Sequence, residues 1–150
     1  MKRLLIKFTC ALIAIVACLG IVSCGSKLNI DGKDKTWAFV FITDNESGEV
    51  EYCSSEFKLV YPDAMMLELS CRAEDGKIYV TNERTQIVHF GTYTADESRE
   101  GYYNLSMGSE EGMKRGYATI TKAKLHDNSI EYNLVIIIDG YTLHFKSIEK

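Results

Sequence analysis

Over most of this 150-residue chain, apolar and polar residues alternate with a period of two; the first two dozen do not alternate at all. Period-two alternation puts one row of side chains on each face of an extended strand. "WAFVFIT" (37 to 43) opens the series, and "EVEYC" (49 to 53) returns across the turn "DNESG". "EFKLVY" (56 to 61) and "MMLELSC" (65 to 71) alternate on either side of Pro62-Asp63. "AEDG" (73 to 76) is a hairpin turn leading to "KIYVTN" (77 to 82). "TQIVHFGTYT" (85 to 94) is strand-like, with Gly91 as a candidate bulge. Beyond the charged loop 95 to 101 come "YYNLSM" (102 to 107), a glycine-rich loop 108 to 116, and "YATITKAKL" (117 to 125). "SIEYNLVIII" (129 to 138) and "YTLHFKSI" (141 to 148) flank Asp139-Gly140. In that last pair Ile130, Tyr132, Leu134, Ile136 and Ile138 share a face with Tyr141, Leu143 and Phe145, while His144 and Lys146 point the other way.

Nine or ten short strands with tight turns predict an all-β antiparallel meander. Open strand edges invite aggregation, so the meander should close into a small barrel or, as the second choice, stack as a sandwich.

The non-alternating start has a different purpose. Lys2, Arg3 and Lys7 precede an apolar run from Phe8 to Val22 broken only by Thr9. Fifteen residues fall short of the about 20 that a membrane span needs, and no cations follow to stop transfer. The pattern is that of a signal helix, residues 1 to 23, cut before Cys24. Ile21-Val22-Ser23-Cys24 resembles the lipobox of bacterial lipoproteins, with Ile in place of the usual Leu. That resemblance implies a diacylglyceryl group on the Cys24 thiol, with palmitate-type acyl chains holding the domain on a membrane. Ile15-Val16-Ala17-Cys18 is a competing match, but cleavage there would leave Leu19 to Val22 as an apolar mature terminus. A plain secretory signal and an uncleaved anchor are the alternatives, and all three place the rest of the chain outside the cytoplasm. Residues 24 to 35 read as a polar tether and 36 to 150 as one β-barrel domain.

Charge narrows the partners. The leader holds three of the 17 Lys and Arg and none of the 21 Asp and Glu, so the mature part carries a net charge of −7. Such a domain repels phosphate backbones and anionic head groups, which argues against nucleic acid. Membrane contact is therefore expected through lipid on Cys24.

Cys10 and Cys18 leave with the leader, so Cys53 and Cys71 remain as an even pair in an oxidising compartment. A disulfide between them would close a loop of about 19 residues and stabilise by about 3 kcal/mol. Cys71 alternates in step with Met65, Leu67 and Leu69 and should face inward. Cys53 steps with Glu49 and Glu51 and should face outward unless a bulge intervenes, so two separate reduced thiols are the alternative.

Candidate chemistry is sparse. His89, His126 and His144 show no close metal spacing, so no metal site and no cofactor are expected. His126-Asp127 reads as a solvated turn, His144 as an outer-face residue, and His89 as a hydrogen-bonded sheet histidine. There is no nucleophile elbow and no P-loop. Glu110-Glu111 and Asp96-Glu97 sit in loops beside cations and read as surface charge. A non-enzymatic protein is expected. Trp37 and nine tyrosines all lie in the mature part, as suits both β-structure and a contact surface.

The anchor, the Trp in the first strand ("KTWAFVFITDNESGEVEY"), the meander and the final "DGYTLHFKSIEK" resemble the small lipocalin-like (calycin-type) lipoproteins of Bacteroidota. Lys35 stands where the lipocalin signature has Gly two residues before the Trp. The resemblance implies a barrel of eight or so strands, an interior suited to a small apolar ligand and Trp37 near the closed end; with the anchor it places the domain in the cell envelope, at the outer membrane or in the periplasm, on either leaflet. "VEYCSSEFKLVY" followed by a second cysteine is also similar to small lysozyme-inhibitor lipoproteins, without their inhibitory loop motif. The rival expectation is thus an envelope interaction protein, an inhibitor or accessory subunit, acting through loops 95 to 101 and 108 to 116.

Overall fold

The computed structural model describes residues 28–31, 36–109 and 112–149. The expected signal helix and the lipidation residue Cys24 lie outside the described residues. Ten strands follow in order: β1 (Trp37–Asp44), β2 (Val50–Cys53), β3 (Met65–Met66), β4 (Leu69–Glu74), β5 (Lys77–Asn82), β6 (Val88–Ala95), β7 (Tyr102–Ser109), β8 (Gly112–Lys124), β9 (Ile130–Ile138) and β10 (Tyr141–Glu149). Among the described residues there is no α-helix.

Strands β4 to β10 pair with their neighbours as an antiparallel meander, and β10 pairs back onto β1. Ala38 of β1 also pairs with Ser70 of β4, so eight strands form a closed barrel and no sandwich. Closure removes the sheet edge that would otherwise be left unpaired. The remaining two strands form an excursion. The upper half of β1 pairs with β2, Phe41 opposite Cys53, on the same edge that its lower half gives to β4. β3 then pairs in parallel with β2, Met65 opposite Tyr52.

Two stretches depart from the alternation. "EFKLVY" makes a single 3-10 turn, Ser55–Phe57, and then further turns. The Lys58 ammonium donates to the carbonyls of Pro62 (2.8 Å) and Ala64 (2.6 Å), closing the segment on itself. Residues 108 to 116 are mostly ladder, with Met107 opposite Lys114 and Gly108 opposite Met113. Their glycines mark contact as much as turn. A Cβ on Gly116 would run into the Ile137 carbonyl oxygen of β9. Gly91 likewise is no bulge: it pairs in register with Ile78 and Met107, and a Cβ there would meet the Ser106 carbonyl.

The inward row is the core. Trp37, Phe39, Cys71, Ile78, Val80, Leu105, Met107, Ile120, Leu134, Ile136 and Phe145 are all buried inside the barrel. Each fully buried side chain of this size contributes about 1.5–3 kcal/mol. Phe39 meets Phe145 edge-on across the β1–β10 seam, with ring centroids 5.8 Å apart. A second, smaller cluster lies outside the wall. There the excursion brings Tyr61 onto Phe41 (5.2 Å), and Phe41 stacks on His144 (4.1 Å).

One end of the barrel is floored by residues expected to be tether. Ile30 is fully buried, and Leu28 packs against the core. The Trp37 Nε1–H donates to the Ile30 carbonyl at 3.4 Å. The Tyr103 hydroxyl donates to the Leu28 carbonyl at 2.8 Å and accepts the Ile30 amide at 3.2 Å. Leu28 to Asp31 therefore belong to the fold, and Trp37 stands at the closed end.

Candidate functional site

Strand directions decide what faces the other end. β5, β7 and β9 run from the floor upward and finish at Asn82, Ser109 and Ile138; β6, β8 and β10 start there and run down. The inward row changes character at this height, from apolar below to Asn82, His89, Ser109 and Lys114 at the rim. The upper end is hollow. A cavity of about 330 Å³ opens between Leu67, Leu69, Val80, Met107, Ile136, Ile138 and Leu143, with Asn82, His89, Ser109, Lys114 and Asp139 around it.

This mouth lies within the 300–1,000 Å³ range of small-molecule pockets, with apolar walls and a few polar groups at one side. An apolar cavity of 150 Å³ takes one benzene, so the mouth accommodates about a dozen non-hydrogen atoms. No ionised group lies among its wall residues below the rim, and burying an unpaired charge there would be costly. At the rim Lys114 pairs with Asp139 at 3.3 Å. The excursion supplies part of the wall, because Leu67 is held by its amide on the Cys53 carbonyl at 2.9 Å.

A larger hollow, about 640 Å³, lies outside the floor among Leu28, Asp31, Asp96, Glu97, Arg99 and Glu100. Charged side chains line much of it. Burial pushes the Asp31 carboxyl up, and Asp75 and Glu74 add to this. Asp96 is held down to about 2 by the Ser98 hydroxyl, then by Arg99 and the Ser98 amide. The Asp96-Glu97 pair is thus a turn carboxylate with its own partners and an exposed neighbour; Glu110 and Glu111 lie outside the described residues.

The two cysteines are free and buried. They sit opposite Trp37 and Phe41 on one edge of β1, four positions apart. That is about 13 Å along a strand, against the 4.4–6.8 Å between Cα atoms that a disulfide requires. The bond weighed from the sequence is not formed. Cys71 faces inward as its alternation implied, and burial pushes its thiol up to about 12. Cys53 pairs with the outward Phe41 and so lies on the outer face, as its step with Glu51 implied, but it is buried there: the excursion covers the sulfur, which lies 3.9 Å from the Tyr61 carbonyl.

The histidines do not come together. His89 stands inward at the mouth, His126 is exposed in the turn after β8, and His144 is on the outer face. His144 is half-buried rather than solvent-facing, because Phe41 and the excursion lie over it; burial lowers its pKa. Among the described residues no group of three His, Cys, Asp or Glu side chains could hold a metal ion. Sequence reasoning missed Lys114, which falls in the stretch expected to be a loop. It also missed His89 as a mouth residue, although its parity with Gly91 and Tyr93 was a usable signal. Beside the mouth, on the outer wall, Ile87, Val88, Phe90 and Met113 are exposed, Phe90 to 66% and Met113 to 63%.

These residues make a closed eight-stranded barrel with one plugged end and one apolar, open end. No family model matches the chain, and neither does a curated protein or a solved structure.

Proposed function

We propose that the chain is a non-enzymatic cell-envelope lipoprotein, held by lipid on Cys24, whose lipocalin-like barrel carries a small apolar ligand in its mouth. One observation carries the ligand reading: the barrel is packed at its floor and hollow at its other end, where the walls are aliphatic. A protein needing only a stable core would fill that space, since packed interiors leave few voids larger than a water.

The anchor reading is supported by the leader and Ile21-Val22-Ser23-Cys24. The Cys24 sulfur would displace the head-group phosphate of a glycerophospholipid. A C–S bond forms, the C–O bond to phosphate breaks, and the thiol proton leaves with the phosphate head group. Hydrolysis of the Ser23–Cys24 peptide then frees the mature chain, with the outer membrane as its favoured location.

Titration with the apolar fluorophore 1-aminonaphthalene tests the carrier. Saturable one-to-one binding is expected, lost when Leu69→Trp or Leu143→Trp fills the mouth of a still-folded barrel. Absence of saturable binding, or binding indifferent to both substitutions, overturns it. Mass spectrometry of the native polypeptide tests the anchor, which fails if Cys24 carries no lipid.

A second reading, an envelope interaction protein, has one observation in its favour: the exposed apolar residues Ile87, Val88, Phe90 and Met113, the last on β8 in the stretch expected to be a loop. It replaces the first if the dye finds no site while photo-cross-linkers at Phe90 or Met113 capture a defined envelope protein saturably.

A further inference from the structure

The floor of the barrel fixes where the anchor leaves the domain. Leu28 is fastened on three sides. Its amide meets the Glu100 carboxylate at 3.2 Å, its carbonyl accepts from Tyr103 at 2.8 Å, and its side chain packs on Gly101. Glu100 and Gly101 belong to the β6–β7 loop, at the closed end. Only Gly25, Ser26 and Lys27 separate Leu28 from Cys24.

We infer that the domain stands on its membrane with the closed end nearest the bilayer, and that its mouth cannot be turned face-down onto that bilayer. This rests on the reading of Cys24 as lipidated. Four Cα steps reach at most about 14 Å when fully extended. The thioether lies at the glycerol level, so the lipid lends no reach above the head groups. The mouth is farther away than that. β9 climbs from floor to rim in nine residues, which is about 20 Å of height for strands tilted by roughly 40°. With the mouth on the bilayer, Leu28 would stand about 20 Å up on a leash of about 14 Å.

The domain is therefore free to tilt but not to invert. Ile87, Val88, Phe90 and Met113 lie on the outer wall beside the mouth, so tilting brings them toward lipid, but the leash keeps the open end from being turned face-down onto its own membrane. Ligand must enter and leave from the aqueous side or from a surface opposite, not by extraction from the leaflet that carries the anchor.

The test uses the full chain, processed and lipidated in a bacterium, reconstituted in phosphatidylcholine vesicles. Cys53 and Cys71 are fully buried, so an added surface thiol takes the label. A fluorophore is placed at Glu97→Cys (closed end) or Glu46→Cys (mouth end), and the vesicles carry head-group nitroxide lipids as short-range quenchers. Quenching at 97 and its loss at 46 are expected. Inserting twenty Gly and Ser residues between Ser26 and Lys27, with a mean span of about 25 Å, should bring quenching to 46. Equal quenching at both positions in the unlengthened protein overturns the orientation, as does a lengthened protein still unquenched at 46. Failure of the native-length protein to float with vesicles, matching Cys24→Ser, overturns the lipid reading itself and is distinct from either result.

Discussion

The phenol of Tyr103 is the latch of the barrel floor: it accepts the Ile30 amide at 3.2 Å while donating to Leu28 at 2.8 Å. These bonds join β7 to a segment more than seventy residues away. They satisfy two main-chain groups beside Ile30, which is fully buried. Leaving such groups unpaired costs about 1–3 kcal/mol.

Tyr103→Phe keeps the ring against Tyr93, whose centroid is 5.7 Å away, and removes only the latch. The urea midpoint is expected to fall by the equivalent of about 1–3 kcal/mol with unchanged slope. Proteolytic cleavage near residues 25 to 35 should accelerate in parallel. A variant as stable and as resistant as the parent would mean that the floor is held by Ile30 burial alone.

The thiols give a prediction about alkali. Burial raises Cys71 from an ordinary 9.0 to about 12. The folded state thus favours the neutral thiol, while the unfolded thiol already ionises near 9. Stability contributed by Cys71 is complete below pH 9 and is lost between pH 9 and 12. Urea midpoints measured across that window should fall more steeply for the parent than for Cys71→Ala. At neutral pH both cysteines should resist a thiol reagent until urea is added, and reductant should leave the midpoint unchanged.

Much of the barrel was legible because it is written in period two. The β9–β10 hairpin shows why: Leu134, Ile136 and Phe145 are buried and share a face, as their alternation required. The excursion was not legible. Residues 56 to 61 alternate like a strand, but the edge of β1 that they could have joined is already taken by β2 and β4. Alternation reports the local twist of the chain, not whether a partner is free. The mouth was only half legible. Nothing in a single strand says that the inward row turns polar at one end; that appears once Asn82, His89 and Lys114 are brought to one height by register. Glycines misled for a related reason, since Gly91 and Gly116 signal close contact between strands, which the sequence alone cannot separate from a turn.

Gly116 tests that last distinction. A Cβ there would collide with the Ile137 main-chain oxygen and lie 3.0 Å from the Ile138 Cβ. Main chain cannot swing aside as a long side chain can, so β8 must part from β9. Gly116→Ala should lose about 1–3 kcal/mol. Gly108→Ala is the control, with its Cβ at ordinary distances of 3.7 Å from the Phe90 carbonyl and 3.9 Å from the Met113 sulfur. It should be neutral or gain a few tenths of a kcal/mol through the unfolded chain. Equal losses at both sites would show that backbone freedom, not contact, selects these glycines.

His144 makes the excursion sensitive to acid. Its ring stacks on Phe41 at 4.1 Å, and Tyr61 covers the same Phe41 ring at 5.2 Å. Beyond it on β10, Lys146 bridges to Glu56 at 2.8 Å and lies over the Phe57 ring at 4.8 Å. Burial favours the neutral imidazole, so the folded pKa lies below the ordinary 6.5. As pH falls past 6.5 the unfolded chain takes up this proton first. Stability from His144 is therefore present above that value and declines below it. His144→Phe keeps a ring on Phe41 and removes the titration. Between pH 7 and 5 the parent's urea midpoint should fall more than the variant's, and backbone amides of residues 54 to 66 should exchange faster in the parent at pH 5 than in the variant. Because Leu67 is tied to Cys53 at the end of that excursion, the same acidification should weaken 1-aminonaphthalene binding in the parent and spare it in His144→Phe. Identical pH profiles for the two proteins would show that the imidazole stays hydrated and that the stack on Phe41 carries no proton linkage.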